Sequence, residues 1–186
     1  TYPVAEKWGF VWVWMGEFDK ADAADICEID NYENPDWGLT DGGMLEIDCH
    51  YLWLTDNLLD PTHVAWVHQS SFAASGTGDT PLEIETFDDG VVVSRWISDQ
   101  EPPPYYASLV KFEGNCDRLQ HYEVRMPSIC INRSIFTPAG SGGNAQELDE
   151  KAYVMVSYNF MTPIDDNRTT YYWFQHYNTD PNDTAI

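Results

Sequence analysis

The sequence predicts an α+β domain on a mainly antiparallel sheet, with two or three short helices. Three observations lead there. Stretches rich in β-branched and aromatic residues recur along the chain, separated by turn signals; helical signals are few and short; and no internal repeat is visible. Hydrophobic residues make up 43% of the 186 residues and aromatics 15%. That composition supports a substantial core and argues against disorder.

The elements follow in chain order. Val4 to Trp14 predicts a strand pair turning near Trp8-Gly9. Residues 17 to 43 are acidic and broken by Asn34-Pro35-Asp36 and Gly42-Gly43, which predicts a surface connection. From Met44 to Leu54 apolar and polar residues alternate through Leu45, Ile47, Cys49 and Tyr51, the pattern of a half-buried strand. The Asp60-Pro61 step predicts a helix over 61 to 69 with Asp60 as N-cap. Further strands are expected at Leu82 to Phe87, Val91 to Ile97, Leu119 to Met126, Ile129 to Thr137, Tyr153 to Met161 and Thr169 to His176. Asp88-Asp89-Gly90 marks a hairpin turn. Pro102-Pro103-Pro104 precedes a predicted helix near Tyr105 to Phe112, and a loop is expected at 140 to 143.

Thirty-one acidic residues face nine basic ones, a formal charge of -22. Such a chain repels nucleic-acid phosphates and anionic membranes, so neither is an expected partner, and the acidity is read as solubility in a salty environment. No apolar run approaches the ~20 residues that span a bilayer. Cys27, Cys49, Cys116 and Cys130 form no Cys-x-x-Cys or Cys-x-His pair, which spells neither a zinc knuckle nor an iron-sulfur site and predicts a reducing cytoplasm.

The chemistry concentrates in Asn57-Leu-Leu-Asp-Pro-Thr-His63-Val-Ala-Trp-Val-His68. Five residues on a regular α-helix separate the two imidazoles by about 140°, too wide to chelate one ion. A π-type widening, or a helix edge that re-aims one ring, closes the angle. Asp60 can cap the helix and also accept the second ring N–H of a ligating histidine. The competing reading makes both histidines ordinary, with Val64, Trp66 and Val67 as the core face.

Asn57-Leu-Leu-Asp60-x-x-His63-x-x-x-x-His68 resembles the ferrous-iron segment of Rieske non-haem iron oxygenase large subunits, of the vanillate O-demethylase type. Tyr2 to Trp14, Gly42-Gly43, Pro102-Pro-Pro104 and Phe160-Met-Thr-Pro163 extend the likeness over most of the chain. The resemblance implies a helix-grip catalytic domain over 17–186, with 1–16 as the tail of a Rieske domain. His63 and His68 would be two arms of a facial triad on mononuclear Fe(II), open to dioxygen. Asp60 would couple that iron to the Rieske cluster of a neighbouring subunit in a homotrimer, and Asn57 matches a residue near the iron. Asn132 and Asn159 fall on strands where relatives place substrate contacts. The family is an NAD(P)H-dependent oxidoreductase fed by a separate reductase or ferredoxin, and its substrate would be a small aromatic acid.

Two departures stand out. The Cys-x-His and Cys-x-x-His ligands of a 2Fe-2S cluster occur nowhere in the sequence, so this chain is expected to begin just after that domain and not to bind the cluster. The carboxylate arm is expected beyond Ile186, with Asp180 and Asp183 as poor substitutes, which predicts weak iron binding and no activity for the isolated chain. His50, His121 and His176 read as core or surface histidines. Three alternatives stay open: a ring-hydroxylating member of the same superfamily, a metal-free helix-grip module for an apolar ligand, and a zinc hydrolase on the same histidines.

Overall fold

The computed structural model describes residues 1–74, 77–141, 148 and 150–179. The chain divides into two compact units, Thr1–Pro35 and Asp36–Ile186. In the first, β1 (Val4–Lys7) and β2 (Phe10–Val13) form the predicted antiparallel hairpin. Trp8 and Gly9 both take positive φ (58° and 75°), the twist that a two-residue turn needs to match its strands. The Trp8 indole donates to the Cys27 carbonyl (2.9 Å) and its ring meets Tyr32 edge-on (5.0 Å). Ile29 is buried. Residues 17 to 35, expected as a plain connection, therefore pack within this unit and contain two short 3₁₀ turns.

The second unit is one antiparallel sheet gripping a helix. Its strands are β3 (Gly38–Leu39), β4 (Gly43–Ile47), β5 (Glu83–Phe87), β6 (Gly90–Gln100), β7 (Cys116–Arg125), β8 (Ile129–Pro138), β9 (Tyr153–Asp165) and β10 (Arg168–Tyr177). They run in the order β3-β10-β9-β8-β7-β6-β5, with β4 also pairing β10. The five long strands β6 to β10 and the short β5 were all legible in the sequence. β4 approaches β10 so closely that a Cβ on Gly42 would strike the Trp173 carbonyl and one on Gly43 the Trp173 ring, which explains the glycine pair.

Three expectations are corrected. The half-buried strand over 44 to 54 ends at Ile47; Tyr51–Leu59 is instead α1, and β4 is largely exposed. Tyr51, Leu54 and Leu58 recur at helical spacing and pack with Leu59 against Val124, Cys130 and Met161, a pull stronger than the local alternation. The helix starts at His50, whose Nδ1 accepts from the Leu52 amide (3.2 Å). Asp60 is therefore the C-cap of α1 rather than the N-cap of the histidine segment. Finally, 105 to 112 forms isolated helical turns, such as Val110 N–H to Tyr106 carbonyl (3.1 Å), and no continuous helix.

Candidate metal centre

The second helix, α2, is a single turn, Val64–Val67, with one histidine at each edge. His63 has αR angles just before it, and His68 leaves helical geometry just after it (φ −110°, ψ 32°). The His68 carbonyl accepts from the Ser71, Phe72 and Ala73 amides, so the chain curls tightly around the second histidine. That break re-aims one imidazole. The ring centroids lie 5.3 Å apart with the planes at 65°, and both rings line the same cavity. The rival reading of a core face fails at two positions, since Val64 is buried while Trp66 and Val67 stand 78% and 70% exposed.

Asp60 shapes the approach to His63. Its Oδ1 accepts from the amide and hydroxyl of Thr62, an Asx turn that ends α1 and starts the histidine segment. Its Oδ2 faces His63 Nδ1 at 3.6 Å, and that buried nitrogen has no hydrogen-bond partner. Partial burial pushes the Asp60 carboxyl pKa up, but the Thr62 hydrogen bonds and the neighbouring imidazole outweigh it and hold the pKa below the ordinary value. A carboxylate behind one ring nitrogen leaves the other nitrogen to bind a metal.

The sheet clamps this segment from beneath. Arg95 on β6 is 3% exposed and donates to Gln120 Oε1 (2.8 Å), the Thr80 carbonyl (3.3 Å) and the Pro61 carbonyl (3.2 Å). Arg118 on β7, equally buried, donates to the Phe72 carbonyl (2.7 Å). Residues 61 to 72 are thus held at both ends by guanidinium groups. Sequence reading missed both arginines; the available signal was a basic residue inside a strand run, in a chain with only nine such residues.

The cavity has a volume of about 360 Å³ and a sheet floor. Tyr122, Asn132, Ser157 and Gln175 face one another across β7, β8, β9 and β10, and all four line it. Phe72, Tyr105 and Tyr106 supply aromatic wall, with the His68 and Phe72 rings 5.5 Å apart. Burial pushes Tyr122 and Tyr171 up to about 12, so both phenols are neutral donors at pH 7.

Asn57, on α1, lines the cavity too. Asn132 and Asn159 also line it, tied into the scaffold: Asn132 donates to the Leu58 carbonyl (2.8 Å), Asn159 to Asn132 Oδ1 (3.0 Å), and the Tyr171 hydroxyl to Asn159 Oδ1 (2.7 Å). His50 caps a helix, His121 pairs with Glu123, and His176 is buried against Trp37. Asp180 and Asp183 lie outside the described residues, among which no group of three potential ligands converges. The chain therefore presents two imidazoles and a carboxylate behind one of them. This donor set fits two arms of a ferrous facial triad.

Comparisons with known proteins give the family and the fold. The vanillate O-demethylase oxygenase C-terminal domain family matches residues 47–186. A vanillate O-demethylase oxygenase subunit of Pseudomonas sp. (strain HR199) is 31% identical over 100% of this chain and 53% of its own length. The iron-sulfur subunit of a toluene-4-sulfonate monooxygenase system of Comamonas testosteroni is 30% identical over 100% of this chain and 54% of its own. A crystal structure of dicamba monooxygenase bound to 3,6-dichlorosalicylic acid superposes with a TM-score of 0.86 at 21% identity, over 98% of this chain and 52% of that one. That likeness shows the shared fold, the helix-grip arrangement expected from the sequence. The chain spans about half the length of the curated relatives it matches. With three quarters of its residues matched by one family model, the chain belongs to the vanillate O-demethylase oxygenase C-terminal domain family.

Proposed function

We propose that this chain is the catalytic part of an oxygenase subunit that oxidises a small aromatic acid at mononuclear Fe(II). The observation that carries the reading is the imidazole pair, 5.3 Å apart on one cavity wall, with Asp60 behind His63. His63 and His68 would hold the iron, completed by a carboxylate from outside the described residues. Held there, iron would supply dioxygen activation, with electrons that come from NAD(P)H.

The chain's own residues do the rest. Asp60 sets a negative charge 3.6 Å behind His63 Nδ1, which favours a proton on that nitrogen, and in the whole subunit it would stand on the route from a Rieske cluster to the iron. The expected boundary at 16/17 moves to 35/36, because 17 to 35 pack with the first unit: 1–35 would continue that cluster's domain and 36–186 would carry the iron. Phe72, Tyr105 and Tyr106 shield the cavity from water and give a ring its apolar seat. Asn57 lines the same cavity as the two histidines, while Asn132 and Asn159 hold the floor against α1 and offer polar contacts to a substrate. In demethylation, one oxygen atom enters a methoxy C–H bond, and the hemiacetal collapses to a phenol and formaldehyde; the other oxygen leaves as water. A separate reductase or ferredoxin supplies the two electrons, and the working assembly is a homotrimer in the cytoplasm.

The test uses the full-length subunit with its reductase. Methoxybenzoates should yield phenol and formaldehyde in equal amounts, stopped by iron chelation and restored by Fe(II) but not by zinc. Replacing His63 or His68 by Ala should abolish both turnover and iron content. A hydroxylated ring with no formaldehyde would move the protein to ring hydroxylation. Full function in the His63→Ala variant would sink the iron reading altogether.

A further inference from the structure

The cavity inverts the charge balance of the chain. Acidic residues outnumber basic ones 31 to nine, yet the residues lining the cavity include Arg118 and Arg133 and no Asp or Glu. A wall with that bias in so acidic a protein is not what composition alone would produce. It is suited to a ligand that brings negative charge with it.

Arg118 is the group best placed to meet such a ligand. Its side chain is 97% buried, and among the described residues no carboxylate pairs with it. Nη1 donates to the Phe72 carbonyl, while the buried Nε has no hydrogen-bond partner. The Tyr106 and Phe136 rings lie 5.3 and 5.2 Å from Cζ. Those π faces offset part of the burial cost of the cation but accept none of its in-plane N–H groups. Arg95 makes the contrast. It is as deeply buried, but its donors go to Gln120, Thr80 and Pro61, and it does not line the cavity. One buried arginine is satisfied by the protein, and the other has donors left over beside an open space.

The position also suits the reaction. Segment 58 to 72 runs along the sheet from Leu58, tied to Asn132, to Phe72, tied to Arg118. The rings of His68, Phe72 and Tyr106 follow one another along that wall (5.5 and 6.2 Å between centroids) and end at Arg118. We propose that Arg118 holds the anionic head of the aromatic substrate, a ring carboxylate or sulfonate, and sets the charge selectivity of the pocket. The proposal rests on the oxygenase reading for the reaction, but the anion site itself can be read without turnover. A planar guanidinium suits either head, since its parallel N–H groups match paired oxygens.

The experiment compares 4-methoxybenzoate, 4-methoxybenzenesulfonate and the neutral 4-methoxybenzamide on full-length protein by calorimetric titration. Wild type should bind at least one anion about tenfold or more tighter than the amide. Arg118→Gln should weaken that anion by about tenfold or more and leave the amide within about threefold. Arg118→Lys keeps the charge but not the fork, so it should weaken the anion by about threefold or more while still preferring it to the amide. Circular dichroism establishes folding, and the Lys variant carries the test if the Gln variant does not fold. Three outcomes overturn the proposal: no anion preference in wild type, anion and amide weakened alike in a folded variant, or unchanged anion binding in both variants.

Formaldehyde release from the same probes reads the reaction separately. Arg118-dependent anion binding without formaldehyde would overturn demethylation and leave the anchor standing. Formaldehyde from all three probes at the same kcat/KM in wild type and Arg118→Gln would do the opposite. With both ideas correct, the Gln variant raises KM for the anions far more than it lowers kcat.

Discussion

Asp60 divides its two oxygens between a turn and a histidine. Oδ1 closes the turn with Thr62, and Oδ2 faces the His63 ring. Asp60→Asn separates the two, because the amide oxygen can still accept from Thr62 while the charge behind His63 is gone. In the full-length subunit we expect about a 10–100-fold loss of iron affinity or turnover, with the melting temperature at pH 7 little changed. The sign of the pH dependence comes from the depressed pKa. A carboxylate whose folded pKa lies below its ordinary 3.8 stabilises the fold above that value and loses the contribution as pH falls through the folded pKa. Wild type should therefore be slightly more stable than Asp60→Asn at neutral pH, and the difference should be lost in acid as pH falls through the depressed pKa of the carboxyl. The 43% exposure of the carboxylate keeps that difference small. Thermal melts of both proteins across pH 2 to 7 check it; a gap that widens in acid would reverse the assignment.

At the scale of elements, the histidine segment is ordered less by its own helix than by the sheet beneath it. A single turn such as Val64–Val67 has no stability of its own. Arg95→Met would leave the Pro61 and Thr80 carbonyls and Gln120 Oε1 without that donor, so we expect about 3 kcal/mol of destabilisation in urea unfolding. Hydrogen exchange should rise first across 61 to 72; an even rise over the whole sheet would mean that Arg95 supports the core and not the segment. The same dependence explains what the sequence could and could not reveal. β5 to β10 were legible because long β-branched and aromatic runs carry their own signal. α1 was missed because Leu45, Ile47, Cys49 and Tyr51 alternate up to its first turn, and because His50 is not among the usual capping residues. Asp60-Pro61 looked like a helix start when Asp60 in fact closes the preceding helix, an ambiguity that only the hydrogen bond from the Asp60 amide to the Asp56 carbonyl resolves. The histidine pair was visible as a motif. Its closeness depends on His68 leaving helical angles, and the Arg118 contact joins residues 46 apart, which no local pattern encodes.

Across the whole molecule, acidic residues outnumber basic ones 31 to nine. A net charge of -22 opposes compaction, because folding brings the carboxylates closer than they stand in the open chain. The ion pairs do little against it. Lys20–Glu17 and Arg168–Asp165 are exposed pairs within a turn, and Lys7–Glu28 has a largely exposed acid, so water and salt screen all three. Salt therefore acts mainly on the repulsion. The Debye length falls from about 10 Å at 0.1 M to about 3 Å at 1 M, shorter than most distances between surface carboxylates. We expect KCl over this range to raise the melting temperature, by about 2–4 °C for each kcal/mol of repulsion relieved in a chain of this size. Differential scanning calorimetry measures the shift, with sucrose as an uncharged control for effects unrelated to screening. A melting temperature that falls with KCl would mean that ion pairs outweigh repulsion. A rise matched by sucrose alone would assign the effect to solvent exclusion, and the acidic surface would then matter for solubility and not for the stability of the fold.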